Sequence, residues 1–248
     1  MGNKRLDVCA TAHELLDLDL GGRTVLVIDV LRATSTMVTG LANGAAGFWP
    51  VRTVAEAHAA FAVADQESIP VLLCGERGGL PIPGFDCGNS PFEYTPAAVA
   101  GRRLIFTTTN GTRALRNAMV QGAAEILPVC FLNASATANY ALRAGRPVTI
   151  ACAGTDDQFS LDDALCAGLL VSKLANKFSD LSDLAIAVRH LYGAMHGDLV
   201  AWLQSCRHGQ RLLRIGAGAD IAYCSQLDLF DVVARYGPNG VTLIPPAR

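Results

Sequence analysis

The sequence predicts an α/β protein of three layers: a largely parallel sheet, helices on both faces, and a ligand site at the carboxyl ends of the strands. Three observations predict it. The strand-like segments are short, apolar and rich in β-branched residues, without polar alternation, as strands buried on both faces are. They alternate with helical patterns from residue 24 to residue 176, which implies a parallel sheet with right-handed crossovers. Polar clusters stand directly after several of these strands, where open parallel sheets bind ligands.

Composition sets the outer limits. The 248 residues suit one α/β unit over 1–248, with a subdivision near 155–180 into a C-terminal helical or mixed part as the alternative. Hydrophobic residues make up 51% and charged residues 17%, yet no uninterrupted apolar run is long enough to cross a bilayer. No apolar signal core follows Lys4–Arg5, so a cytoplasmic location is expected. A net charge of −2 argues against a dedicated nucleic-acid binder. The eight cysteines are scattered without a C-x-x-C pair, and most lie in apolar runs. They read as small hydrophobes rather than disulfides or zinc ligands.

Leu6–Ala10 reads as a first strand, and Thr11–Leu20 as a solvated loop. Its Asp17-Leu18-Asp19 has the D-x-D of aspartyl-phosphate phosphatases, but Gly21 stands where Thr or Val is required. Val25–Ile28 is a buried strand that runs into Asp29 and Arg32, and a helix follows to about Asn43. The plain alternative is that Asp29 caps this helix and Arg32 pairs with a surface acid. Gly47–Val51 is a short strand, and Val54–Ala64 a helix with Thr53 and Glu56 as a capping box. Pro70–Cys74 is a strand leading into Gly75-Glu76-Arg77, with a Gly/Pro-rich loop from Gly78 to Pro91 behind it. Loops of that length inside a compact unit are usually functional, and this one offers Asp86, Asn89 and Ser90.

Thr95-Pro96 opens a helix, with Thr95 as its N-cap. Arg103–Thr107 is a strand ending in Thr108-Thr109-Asn110-Gly111-Thr112-Arg113 and a helix to about Val120. Hydroxyls, an amide and a glycine at a helix start can cradle an anion. An ordinary cap is the competing reading. Glu125–Val129 and Pro147–Cys152 are strands, with a helix capped by Asn133 between them. Ser160 caps a long helix with Asp162 and Asp163 in its first turn, where acids favour the macrodipole whether or not they bind metal. Asp183–Leu203 is amphipathic and helical, Leu213–Leu229 is mixed, and Val241–Ile244 closes the sheet as an edge strand.

The turns after the strands collect Asp29, Glu76 and Asp86, with Arg32, Arg77 and Arg113. Oxygen ligands without histidine or cysteine suggest Mg²⁺, and arginines with threonine hydroxyls suit phosphate or sulfonate. Metal plus anion clamps is the equipment of phosphoryl transfer or phosphate hydrolysis. The nucleotide P-loop, the cysteine-phosphatase loop, the dinucleotide fingerprint and G-x-S-x-G are all absent. Arg207-His208-Gly209 matches the R-H-G of histidine phosphatases but lies too late in the chain to follow a first strand.

DVLRATST (29–36), CGERGG (74–79), GFDCGNSP (84–91), TTNGT (108–112) and ACAG with SLDD (151–163), read together, resemble the 2-phosphosulfolactate phosphatase family. Cys87 departs from the larger aliphatic residue expected in the third motif. The resemblance implies a Mg²⁺-dependent hydrolase of 2-phospho-3-sulfolactate, yielding sulfolactate and phosphate on a route to coenzyme M. The expected assignment makes Asp29, Glu76 and Arg32 catalytic and Asp29, Glu76 and Asp86 the metal ligands. Arg77, Thr34, Thr108, Thr109, Asn110, Gly111, Thr112, Asn89 and Ser90 would hold substrate. The expected partner is a small phosphorylated or sulfonated acid, not nucleic acid or a membrane; a homo-oligomer stays open. The competing functions are a phosphatase of another small phosphorylated hydroxy acid, a non-catalytic phosphate- or anion-binding module, and an isomerase or lyase that keeps the phosphate.

Overall fold

A computed structural model describes residues 5–65, 70–109 and 111–245. The chain opens with β1 (Arg5–Cys9), β2 (Thr24–Ile28), α1 (Ala33–Ala42), β3 (Gly47–Pro50), α2 (Val54–Asp65), β4 (Val71–Arg77) and β5 (Leu80–Pro81). It continues through α3 (Pro96–Val99), β6 (Arg103–Thr107), α4 (Gly111–Val120), β7 (Glu125–Val129), α5 (Ala134–Ala144), β8 (Val148–Cys152) and α6 (Leu161–Leu174). After β9 (Asp180–Leu181) come α7 (Asp183–Met195), α8 (Leu199–Ser205), α9 (Arg207–Arg214), α10 (Gly218–Cys224) and the hairpin β10 (Ala234–Gly237) and β11 (Gly240–Leu243).

The strands form one mixed, mostly parallel sheet in the order β5-β4-β6-β3-β11-β10-β7-β2-β8-β1-β9. Helices cover both faces, and strand alternation explains how. Val25 and Val27 of β2 join Met37 and Leu41 of α1 and Leu115 of α4 in one core. Leu26 and Ile28, pointing the other way, join Ala138 of α5 and Leu165 of α6 in a second. Leu203, Leu212 and Ile221 of α8–α10 belong to that second core, so the C-terminal helices pack onto the sheet. All eight cysteines are buried thiols. Among the described residues, no helix is long and apolar enough to cross a membrane.

Two expectations are corrected. The last strand is not an edge: β11 lies inside the sheet, antiparallel to both β10 and β3. The hairpin fills the gap between β3 and β7, and Pro245 lies two residues beyond the end of β11. The amphipathic run 183–203 breaks at a 3₁₀ turn, His196–Asp198, and Asp198 restarts the helix by accepting from Ala201 N–H at 3.0 Å. The loop 78–91 returns to the sheet. Asp86 N–H donates to Leu73 O at 2.8 Å, and Cys87 bridges to Cys74 in parallel. This return protects the outer edge of β4.

The antiparallel hairpin also changes how the site is assembled. Each of the pairs β3–β11, β11–β10 and β10–β7 reverses direction, so the parallel block β4-β6-β3 runs opposite to the block β7-β2-β8-β1. Five steps separate β6 from β2. At roughly 20–25° of twist per step the sheet turns through more than a right angle, curling around α1 and α4. The carboxyl ends of two opposed blocks therefore meet at a corner instead of lying along one edge.

Gly75 is needed for β4 to pass β6. Its φ is +142°, and a Cβ there would stand 2.0 Å from Thr107 O. Gly84 also has a positive φ, +81°, but open space around it. Gly75→Ala should cost about 2–4 kcal/mol through strain and overpacking. That lowers Tm by roughly 5–15 °C in a chain of this size. Gly84→Ala should cost about 1 kcal/mol. Equal Tm shifts for the two variants in thermal denaturation would refute the close-approach account.

Candidate active site

The β2–α1 turn builds the first wall. Thr34 donates its hydroxyl to Asp29 O at 2.8 Å and accepts from Asp29 N–H at 3.1 Å, so its side chain is spent shaping the turn. Asp29 Oδ1 accepts from Ala33 N–H at 3.3 Å. Gly111, at the start of α4, lies against it: a Cβ there would be 2.8 Å from Asp29 Oδ2. Arg32 is buried. Its Nη1 donates to Asp220 Oδ2 at 2.6 Å and its Nη2 to Gly79 O at 2.7 Å.

The ends of β4 and β6 build the second wall. Glu76 is buried and held from three sides. Its Oε2 accepts from Gly79 N–H at 2.7 Å, and its Oε1 accepts from the N–H and hydroxyl of Thr109 at 2.8 and 2.9 Å. A carboxylate has about four lone-pair sites, so one remains for a ligand. The third wall comes from α9 and the segment after β8, with the first turn of α6 in contact with both. Asp163 accepts from Val30 N–H at 2.9 Å and Gly154 N–H at 3.0 Å, tying the ends of β2 and β8 together. Asp162 accepts from the Ser160 hydroxyl and faces His208 Nδ1 at 3.9 Å, a charge contact too long for a hydrogen bond.

These walls enclose one pocket, lined by Asp29, Arg32, Glu76, Asn89, Thr108, Thr109, Thr155, His208 and Arg211, with Leu31 and Gly79. It contains two loose ends. Among the described residues, the Asn89 side-chain oxygen and the Thr108 hydroxyl are buried without a hydrogen-bond partner, and groups of that kind cost stability unless a ligand or water meets them. The pocket also carries a charge conflict. Burial, with the nearby charges of Asp162 and Glu76, pushes Asp29 up to about 7, against the opposing pull of Ala33 N–H and Arg32. Burial likewise raises Asp163 well above the carboxylate range and pushes His208 down.

Of the expected site residues, the structure brings together Asp29, Arg32, Glu76, Asn89, Thr108 and Thr109. It separates others. Asp86 is exposed and its Oδ2 accepts from Leu73 N–H at 2.8 Å, so the metal set Asp29, Glu76, Asp86 is not assembled. Leu73 lies three residues back from Glu76 along β4, about 10 Å at strand rise. Arg77 bonds Glu76 O, Arg52 O and the Thr107 hydroxyl, bracing strand ends outside the pocket. Ser90 donates to Asp220 Oδ1 at 2.6 Å and so acts on Arg32 at one remove. Thr112 lines a neighbouring cavity. Asn110 lies outside the described residues.

The expected site set lacks His208 and Arg211, which line the pocket, and Asp162 and Asp220, which contact His208 and Arg32. R-H-G at 207–209 was the available signal, but its glycine has a packing task. A Cβ on Gly209 would be 1.8 Å from Leu203 O, and Gly209 N–H caps onto Cys206 Sγ at 3.2 Å. This tight α8–α9 corner brings His208 and Arg211, three apart on one helix face, into the pocket wall.

The donor set can be tested against Mg²⁺. Among the described residues, no three His, Cys, Asp or Glu side chains form a ready metal cage. Mg²⁺ does not need one: it is commonly held by one or two carboxylates plus substrate oxygens and waters. Asp29 and the free site of Glu76 supply that, and the charge conflict at Asp29 is what a bound cation relieves. The residues fit.

Fold and pocket together define a class: an α/β protein whose strand ends converge on a buried carboxylate–guanidinium pocket of the kind phosphate-ester hydrolases use. Comparison with known proteins narrows it, since the profile of the 2-phosphosulpholactate phosphatase family matches residues 9–238. Similar proteins include those of Symbiobacterium thermophilum (42% identical over 229 residues, 91% of this chain and 96% of that one) and Caldanaerobacter subterraneus subsp. tengcongensis (40% over 237 residues, 95% and 96%). A Thermotoga maritima protein is 39% identical over 222 residues, 90% of this chain and 92% of its own. Each of the three bears the name "Probable 2-phosphosulfolactate phosphatase". This chain belongs to the 2-phosphosulpholactate phosphatase family.

Proposed function

We propose that the protein is a Mg²⁺-dependent phosphatase that hydrolyses 2-phospho-3-sulfolactate to sulfolactate and phosphate, the type of reaction a route to coenzyme M requires. The observation that carries this is the pocket itself: buried Asp29 and Glu76 line it together with Arg32 and Arg211, beside two polar groups that have no partner among the described residues. Family membership and the names of the relatives support the substrate. Asp29 and Glu76 would hold the metal. When bound, the ion neutralises charge on the phosphoryl oxygens and makes water a better nucleophile.

The protein's own groups do the rest. Arg211 lines the pocket and its side chain makes no hydrogen bond or ion pair among the described residues, so its guanidinium is free for phosphoryl oxygens. Arg32 keeps donors in reserve beyond the two engaged by Asp220 and Gly79. Thr108 offers a hydroxyl with no other partner among the described residues. His208 is kept neutral by burial, so it can take the proton from the attacking water and return it to the departing alcohol oxygen.

The test is inorganic phosphate release from 2-phospho-3-sulfolactate, with Mg²⁺ and then EDTA, beside phospholactate and an aryl phosphate. The expected result is metal-dependent release that favours the sulfonated ester. Release indifferent to EDTA removes the metal from this reading. Release from the other esters alone replaces the substrate by another small phosphorylated hydroxy acid. Phosphate binding without release from any ester leaves a binding module or an isomerase.

A further inference from the structure

Cys74 in β4 and Cys87 in the returning loop stand opposite one another across a parallel bridge. Gly75 N–H donates to Cys87 O at 3.0 Å and Cys87 N–H donates to Leu73 O at 3.3 Å, so backbone bonds on both sides of Cys74 fix the register. Residues opposite one another in paired strands carry their side chains on the same face. Both thiols accordingly lie in one core cluster, with Tyr94 and Phe106. Neighbouring strands run about 4.8 Å apart, inside the Cα separation of roughly 4.4–6.8 Å that a disulfide spans.

No other strand pairing among the described residues sets two cysteines opposite one another. Cys9 of β1 faces Ala151, and Cys152 of β8 faces Ile28. Chemistry separates the pair as well. A hydrogen bond from the Cys74 thiol holds Cys87 below the ordinary thiol value, against the upward push of burial. Burial instead raises Cys9, Cys130, Cys152, Cys166, Cys206 and Cys224. The thiolate is the nucleophile in thiol oxidation. Cys87 is 8% exposed against 0% for Cys74, and the next residue, Asp86, is exposed. Local opening of this loop alone therefore admits a water-sized oxidant.

We propose that Cys74 and Cys87 are a dithiol–disulfide couple, oxidised by hydrogen peroxide to a disulfide that staples the 78–91 loop to β4 and reopened by a dithiol reductant. The Cys87 sulfur attacks one peroxide oxygen. An S–O bond forms, the O–O bond breaks, and the departing hydroxide takes up the proton that Cys87 released. The Cys74 sulfur then attacks the sulfenic acid at Cys87. The S–S bond forms, the S–O bond breaks, and the hydroxyl leaves as water with the Cys74 proton. Two thiols lose two electrons and two protons, and peroxide becomes two waters. The ring so closed, residues 74–87, contains Glu76 and Gly79, and the stapled segment leads directly to Asn89 of the pocket. The couple does not depend on the phosphatase reading.

The experiment uses the whole protein, reduced and then freed of reductant, with hydrogen peroxide as the probe. The intact protein should lose the mass of two hydrogens. Trypsin cleaves after Arg52, Arg77 and Arg102, which puts Cys74 and Cys87 on separate peptides, 53–77 and 78–102, each without another cysteine. Digested without reductant, the two peptides should appear joined, and dithiothreitol should part them. The link should form at least about tenfold faster than any other cysteine is oxidised. Cys87→Val, which restores an aliphatic side chain, and Cys74→Ala are the controls, and a thermal melt checks that each folds. Neither should form the link, and Cys74→Ala should gain oxygen at Cys87 as sulfenic and then sulfinic acid. A parent that keeps all its thiols, that gains oxygen at Cys87 without a link, or that links other cysteines first overturns the proposal.

Discussion

Asp29→Asn is expected to lower kcat for phosphate release on the order of 10³-fold or more, about 4 kcal/mol of transition-state stabilisation. The substitution is nearly isosteric, so Ala33 N–H keeps its acceptor and Gly111 its close neighbour. What changes is charge. Asp29 stands 7% exposed among the charges of Asp162 and Glu76, and that arrangement is tolerable for a carboxylate only when it is protonated or paired with a cation. Asparagine relieves the repulsion, so the variant should melt at the same temperature as the parent or above it in EDTA. Added Mg²⁺ should stabilise the parent and not the variant, since a ligand raises stability only through the state that binds it. Higher stability with lost turnover is the pattern of a functional carboxylate held at a cost. A purely capping Asp29 would give the reverse, with lower Tm and near-normal phosphate release, and that result would remove it from the mechanism.

The sequence exposed those parts of the site that depend on local chain order. Asp29, Glu76, Thr108 and Thr109 each follow a strand within a few residues, and a strand end can be read from an apolar run that meets a polar one. Asp86 shows where that reasoning stops. It looked equivalent to Glu76 because both stand in glycine-rich turns, but the loop doubles back beside β4, so Asp86 meets Leu73, on the sheet side of the turn. Register between a strand and a returning loop is set by backbone pairing, which leaves no pattern in side-chain types. Asp162, His208, Arg211 and Asp220 were hidden for another reason. They come from helices beyond residue 160, and His208 and Arg211 reach the pocket wall only through packing of α8–α10 on the core of Leu203, Leu212 and Ile221. Likewise β11 has the composition of an edge strand, and its central place follows from the gap between two parallel blocks that run in opposite senses.

Asp220→Ala should destabilise the protein by about 3–5 kcal/mol, because it strands the Arg32 guanidinium as an unpaired buried charge. The pair is only 5% and 4% exposed, so solvent screening gives little relief. Asp220 also accepts from Ser90, so the same change loosens the loop that carries Asn89. Stability alone cannot tell a structural ion pair from one that presents Arg32 to a substrate. Removing both charges at once can. In Arg32→Met/Asp220→Leu no buried charge is left uncompensated, and replacing such a pair with apolar groups of similar volume is often neutral or stabilising. The double variant should therefore recover most of the loss, short of about 1 kcal/mol for the Ser90 hydroxyl left without its acceptor. Its phosphate release should remain at least about 100-fold below that of the parent, because the cation facing the phosphoryl oxygens is gone. Denaturant unfolding and phosphate release on the same three proteins decide the matter. Recovery of stability and activity together would make Arg32 a strut between α10 and the β2–α1 turn, and the phosphoryl contacts would then fall to Arg211 alone.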